Sequence, residues 1–150
     1  MPLSKRLLQI AGLLSLGIAL LQVVLGFSPA LSTYLGAPPE LLANPAALLA
    51  SSFFVALIFA IWGLYGLSGA GLLRRLPLLR LGLLVIGVIY TLRGLLLVPL
   101  LLDSLGLIVA DPPILPQALL ASLVSLLIGC LYLAGTLTAW RDLRPESPAR

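Results

Sequence analysis

Four apolar stretches, each long enough to cross a bilayer, dominate this sequence. They cover about residues 7–27, 46–71, 78–102 and 117–140. A spanning helix needs roughly 20 mostly apolar residues, because backbone in hydrocarbon must satisfy its own hydrogen bonds. Only 9% of the 150 residues are charged, whereas a soluble domain has roughly 25%. We therefore predict an all-α integral membrane protein in which four transmembrane helices form a bundle within residues 1–140.

Basic residues set the predicted orientation, because nearly all of them fall on one side of such a chain: Lys5, Arg6, Arg74, Arg75, Arg80, Arg141, Arg144 and Arg150. The positive-inside rule makes that side cytoplasmic. We expect both termini to be cytoplasmic, with Arg74, Arg75 and Arg80 in contact with lipid headgroups. The small size and the Leu-, Ala-, Gly- and Arg-rich composition are typical of proteins of the bacterial inner membrane.

The remaining segments differ from the spans in composition. The connections at residues 28–45 and 103–113 mix apolar residues with Pro and Gly, which predicts short interfacial helices that cap the bundle; a re-entrant segment is the alternative. Residues 141–150 are polar and contain two prolines. We expect this cytoplasmic tail to be disordered.

The chain can be aligned on itself with an offset of 71 residues and no gap. Pro45 then falls on Pro116, and the segment Ala47-Leu-Leu-Ala-Ser51 falls on Ala118-Leu-Leu-Ala-Ser122. This match favours two duplicated helical hairpins in parallel orientation, related by an axis along the membrane normal. Chance similarity between Leu-rich spans is the alternative.

The first, second and fourth spans each carry a stripe of small or weakly polar residues at helical spacing, which is typical of packed helix faces in lipid, and a set of residues on the third span shares one face at the same spacing. The stripes are Ala11, Ser15, Ala19, Gln22 and Gly26; Ser52, Ala56, Ala60 and Gly63; Gly82, Ile86, Tyr90, Arg93, Leu97 and Leu100; and Ser122, Ser125, Gly129, Tyr132 and Thr136. We expect these four stripes to meet inside the bundle.

Arg93 lies deep in the third span. A guanidinium at that depth costs at least ~2.5 kcal/mol on insertion scales. Counting residues from the basic ends places Gln22, Ser122 and Ser125 at a similar depth, and Tyr90 one turn away. We expect Arg93 to point inward toward these side chains, and Pro99 to kink the helix beyond it.

Three accounts of Arg93 stay open. Gln22, the serine hydroxyls and backbone carbonyls satisfy its charge as a structural pin, or it binds an anionic or lipid-like ligand inside the bundle. In the third account it pairs with a carboxylate of a partner subunit or a second copy. Neutral acceptors alone compensate a buried charge poorly, which weighs against the first account.

The sequence carries no catalytic set. There is no His, and Cys130 is the single cysteine, which removes the commonest general base and metal ligand and excludes an intrachain disulfide. We expect no cofactor, no metal, no nucleic-acid partner and no enzymatic activity. The leading hypothesis is an accessory or assembly subunit that packs against lipids and partners in the bilayer, as a homo-oligomer or with another subunit. The alternative is a small transporter or binding protein for an anionic or lipid-like ligand held by Arg93.

Overall fold

The computed structural model describes residues 2–107, 116–141 and 143. Within them it contains helices and no strand, and the helices are α1 (Leu3–Phe27), α2 (Pro29–Tyr34), α3 (Pro39–Leu42), α4 (Pro45–Gly69), α5 (Leu79–Leu95), α6 (Leu97–Ser104) and α7 (Pro116–Thr138). Four helical stretches are long and apolar enough to cross a membrane: Leu3–Phe27, Pro45–Gly69, Leu79–Asp103 and Pro116–Thr138. The chain is therefore an integral membrane protein, and the predicted all-α four-helix bundle is confirmed.

The third stretch is interrupted by a turn. α5 ends at Leu95, Leu96 is a turn residue, and α6 starts at Leu97. Pro99 has no N–H with which to bond the Leu95 carbonyl, so the α-helical pattern cannot run through this point unbroken. The kink predicted from Pro99 is confirmed.

The connection between α1 and α4 is built from the short helices α2 and α3. The Ser28 hydroxyl accepts a hydrogen bond from Leu31 N at the start of α2, and the Asn44 side chain accepts bonds from Ala46 N and Ala47 N at the start of α4. These caps satisfy helix N–H groups that have no partner within the helix. Short helices in this connection are thus confirmed, and their location at the membrane interface stays a prediction. Residues 108–115 and most of the predicted tail lie outside the described residues.

The bundle consists of two tightly packed helix pairs, α1 with α4 and α5 with α7, and α1 also packs on α7. In the first pair the backbones touch: a Cβ on Gly66 would lie 2.6 Å from Gly12 Cα. In the second pair, a Cβ on Gly94 would lie 2.5 Å from Leu126 Cα. Such close approach is how helices gain dispersion energy in lipid, where the hydrophobic effect does not draw them together.

The two pairs share one register. In the first pair Gly26 packs on Ser52, and in the second Gly94 packs on Leu126. Moving the first of these contacts along the sequence by the 71-residue offset gives positions 97 and 123. These lie three residues after Gly94 and three before Leu126, so they continue the same antiparallel line of contacts. Two copies of one hairpin would have this property, and the duplication stays a prediction.

The buried side chains follow the predicted stripes on three of the four spans. Ala11, Ser15, Ala19 and Gly26 are buried on α1, Ser52, Ala56 and Gly63 on α4, and Ser122, Ser125, Gly129, Tyr132 and Thr136 on α7. Large apolar side chains such as Leu20, Phe54 and Leu120 are exposed and form the surface that lipid covers. The third span follows its stripe at Ile86 and Tyr90 but departs from it at Arg93.

Candidate functional site

A hydrogen-bonded group of three side chains lies at the centre of the bundle. The Ser15 hydroxyl is 3.0 Å from the Tyr90 hydroxyl and 3.1 Å from the Tyr132 hydroxyl, and the Tyr132 hydroxyl donates to the carbonyl of Trp62 at 2.8 Å. Ser15, Tyr90 and Tyr132 are each at most 1% exposed. Because Ser15 is the middle residue of α1, this group lies near the middle of the membrane and links all four spans.

Aromatic rings surround the three hydroxyls. Tyr90 and Tyr132 stack with their ring centroids 5.9 Å apart and their planes 13° apart. Trp62 meets Tyr90 nearly edge-on at 5.1 Å, and Phe59 lies 5.3 Å from Trp62. Offset and edge-on ring contacts add about 0.5–1.5 kcal/mol each beyond the area they bury. We call Phe59, Trp62, Tyr90 and Tyr132, with Ser15, the aromatic core.

The chemistry open to the aromatic core is hydrogen bonding. Its polar side-chain groups are three hydroxyls and the indole N–H of Trp62, and each of the three hydroxyls has a hydrogen-bond partner. A serine nucleophile needs an adjacent base to take its proton, and the contacts of Ser15 are tyrosine hydroxyls. The arrangement therefore fits a structural link between helices, which in a membrane compensates for the absence of a hydrophobic driving force.

The predicted site residues do not come together around Arg93. Tyr90 belongs to the aromatic core, and Ser125 is buried and donates to the Ala121 carbonyl of its own helix at 2.8 Å. Ser122 is buried on α7. Gln22 lines a separate cavity whose walls come from α1, α4 and the connection between them, and from no residue of α5 or α7.

Arg93 is exposed on the outside of the bundle, so the expectation that it points inward is wrong. Arg93 and Gly94 follow Tyr90 by three and four residues, which places them on opposite flanks of that side chain. The backbone of Gly94 packs against Leu126, so this flank faces α7 and the Arg93 flank faces outward. Helical spacing alone did not distinguish these two flanks.

One end of the bundle is basic and carries Lys5, Arg6 and the loop between α4 and α5. At this end Arg80 contacts Trp140. The Arg80 guanidinium lies over the Trp140 ring, 5.0 Å from its centroid, and donates to the Trp140 carbonyl. Arg74 and Arg75 are exposed. Arg80 therefore contacts the segment that follows α7. Arg74 and Arg75 lie at the surface where the sequence predicts lipid headgroups.

The aromatic core was missed as a unit, although Ser15, Tyr90 and Tyr132 all stood on predicted stripes. A signal was present, because three hydroxyl side chains on apolar spans at matching depth need one another as partners. The described residues contain no group of three metal-binding side chains from His, Cys, Asp and Glu. Comparison of the chain with protein-family models, with curated proteins and with solved structures finds no match.

Proposed function

We propose that this protein is a non-enzymatic subunit of a membrane assembly, and that it binds a different membrane protein through the lipid-exposed face of α5 that carries Arg93. The observation that carries the proposal is an arginine exposed on the outside of the bundle, between the two ends of an apolar helical stretch. We further propose the bacterial inner membrane, with the basic end in the cytoplasm, because the positive residues are concentrated there.

The depth of Arg93 follows from its position along the helix. It lies 14 residues after Leu79, the first residue of α5, and ten residues before Asp103, the end of this span. At ~1.5 Å per residue it stands ~21 Å from one end and ~15 Å from the other, near the middle of a hydrocarbon layer ~30 Å thick. Exposure of its charge to lipid costs at least ~2.5 kcal/mol, so an acceptor from outside the chain would be strongly favoured.

The described part of the chain offers Arg93 no such acceptor. Its guanidinium makes no hydrogen bond or ion pair with any described residue. The Ser125 hydroxyl is directed to its own helix and Gln22 lies in another cavity. The account of Arg93 as a self-contained pin therefore has little support.

A different protein suits Arg93 better than a second copy of this chain. The acidic residues of the sequence are Glu40, Asp103, Asp111, Asp142 and Glu146, and none lies within the central turns of a span. A second copy packed at the same depth could not place a carboxylate beside Arg93. We therefore expect the partner to carry Asp or Glu within one of its own spans, because charged pairs in hydrocarbon stabilise one another.

The test combines crosslinking with charge reversal. A photoreactive residue at Leu92, which is 60% exposed beside Arg93, should crosslink one membrane protein in native membranes. Leu57 on α4, also 60% exposed, is the matched control position. Arg93→Leu should weaken co-purification of that protein ~100-fold or more, since breaking one side of a buried ion pair costs ~3–5 kcal/mol. Arg93→Leu should leave the fold intact, because the side chain packs on the outside.

Two outcomes would refute the proposal. One is a crosslinked product that contains only copies of this chain. The other is a partner without an acidic residue in the crosslinked span, or one whose binding is unchanged by Arg93→Leu. The proposal is supported if the Arg93→Glu variant fails to bind the partner and if binding returns when the partner's carboxylate is replaced by Lys or Arg.

The second candidate is a small transporter or binding protein, and the observation that favours it is the cavity beside Gln22. The version in which Arg93 holds an anionic ligand predicts that Arg93→Gln abolishes anion binding and Arg93→Lys retains part of it. Undiminished binding in both variants would refute that version. It has the weaker support, because Arg93 does not line the cavity.

A further inference from the structure

A cavity lies at the far end of the bundle, which is the end opposite to the basic end. It is open on one side and has a volume of about 260 Å³, well above the roughly 10–15 Å³ that is needed to hold one water molecule. Its walls come from the last turns of α1, from α2 and α3, and from the first turns of α4. A space of this size is large enough for an organic group rather than a single water molecule.

The walls are held in place by local hydrogen bonds. The Ser32 hydroxyl of α2 donates to the Leu25 carbonyl of α1 at 2.9 Å, which ties the short helix to the first span. α2 ends in a tight turn in which Ala37 N bonds Ser32 O at 2.9 Å and Gly36 takes a positive φ of 85°. A residue without Cβ is required to adopt that φ without strain. The cavity is thus preformed by the capping segment.

The polar groups of the cavity are unequal in their bonding. The Ser32 and Ser51 hydroxyls donate hydrogen bonds to the backbone carbonyls of Leu25 and Leu48, respectively. The half-buried amide of Gln22 makes no hydrogen bond with any described residue. Two N–H donors and a carbonyl acceptor of a residue that lines the cavity are therefore unused, and an unbonded amide in apolar surroundings costs free energy until a partner binds.

Apart from Gln22 and three serines, the described lining of the cavity is apolar, and it contains no charged residue. A charged ligand would therefore lose its hydration without gaining an ion pair. Gln22 lies seven residues, or ~10.5 Å, beyond Ser15, in the outer part of a hydrocarbon layer ~30 Å thick. A molecule at this level can keep an apolar body in the cavity and a polar group against the amide.

We propose that this cavity binds a neutral amphipathic molecule, whose ester carbonyl or hydroxyl group is hydrogen-bonded to the Gln22 amide and whose apolar part contacts Leu25, Leu48 and Val55. The same chemistry is offered by a monoacylglycerol and by the glycerol-ester region of a bilayer phospholipid. The proposal is independent of the partner proposed for Arg93, because no residue of α5 lines the cavity.

The experiment uses the full chain in nanodiscs with two photoreactive probes, a diazirine-bearing monoacylglycerol and a phosphatidylglycerol labelled at the same acyl position. Labelled residues are located by mass spectrometry. Gln22→Leu keeps the size of the side chain and removes its hydrogen bonds. Gln9→Leu, the same substitution on the same helix but at the basic end and outside the cavity, is the matched control.

We expect the monoacylglycerol probe to label cavity residues in the wild type and in Gln9→Leu. Gln22→Leu should reduce that labelling about five- to tenfold, as expected for loss of one or two hydrogen bonds. Cavity labelling by the phospholipid probe with the same dependence on Gln22 would identify a bilayer lipid as the source of the ester. Equal labelling of wild type and Gln22→Leu, or labelling spread evenly over the lipid-facing surface, would overturn the proposal.

Discussion

Replacing Gly66 by Ala would insert a methyl group where α4 meets α1. The new Cβ would lie 2.6 Å from Gly12 Cα, 2.9 Å from Gly12 N and 3.0 Å from the Leu8 carbonyl oxygen. All three are backbone atoms, so no rotation of a neighbouring side chain can relieve the overlap. Because carbon atoms attract best at about 3.5–4.0 Å, the two helices would have to separate by about 1 Å along the contact.

The expected cost of this separation is about 1–3 kcal/mol, the usual effect of overpacking a tight contact. Alanine also has a higher helix propensity than glycine, by about 1 kcal/mol in a helix interior. These two effects oppose each other in Gly66→Ala. We expect a net loss of about 0–2 kcal/mol in the free energy of unfolding.

Gly17→Ala isolates the packing contribution. Gly17 also lies inside a spanning helix, but it is exposed and a Cβ there would meet nothing within 4 Å. Both variants therefore gain the same helix propensity, and only Gly66→Ala overpacks. Reversible unfolding in mixed dodecyl maltoside and SDS micelles measures both free energies. A Gly66→Ala variant as stable as Gly17→Ala would refute the argument that the backbones of α1 and α4 are in contact.

Three further predictions use the same unfolding assay. Tyr132→Phe should lower the free energy of unfolding by about 0.5–1.5 kcal/mol through lost hydrogen bonds. A double-mutant cycle with Ser15→Ala should show a coupling free energy of about 0.6 kcal/mol. Zero coupling would contradict the 3.1 Å contact between the Ser15 and Tyr132 hydroxyls. Thr136→Val should raise the unfolding free energy by about 1 kcal/mol, because the Thr136 hydroxyl is buried without a partner among described residues; a fall would show that it has one. Trp140→Leu should lower it by about 0.5–1 kcal/mol through loss of the cation–π contact with Arg80, and unchanged stability would show that this contact is unimportant.

The features that depend on local composition were predictable from sequence. Span length and apolarity predicted four helices, and Pro99 predicted the break before α6 because proline removes a backbone donor whatever surrounds it. The stripes were predictable on α1, α4 and α7, since small residues such as Ala11, Ser52 and Gly129 permit the close contact that lipid-embedded helices need. Each of these inferences needs only one helix at a time.

The neighbourhood of Arg93 could not be predicted in this way, because it depends on how two helices are rotated against each other. Arg93 and Gly94 are nearly equivalent by spacing, and the choice between them is made by contact with α7, where Gly94 meets Leu126. For the same reason, the depth estimate that grouped Gln22 with Arg93 gave no information on how each helix is rotated about its own axis. Depth follows from counting residues along a helix, whereas rotation depends on the whole set of contacts between helices.

On the third span, Tyr90 and Arg93 face different sides of the bundle, although the sequence analysis placed them on one inward face. Tyr90 faces inward and closes the aromatic core with Ser15, so the bundle gains its central polar link from a neutral hydroxyl. Arg93, one turn further along, is exposed and contributes no described hydrogen bond to the fold. Substitutions at the two positions should therefore affect different properties. Tyr90→Phe should lower the free energy of unfolding without changing association with the proposed partner, and Arg93→Leu should weaken that association without loss of stability. If the partner proposed for Arg93 exists, the two substitutions separate the residue that stabilises the bundle from the residue that binds outside it.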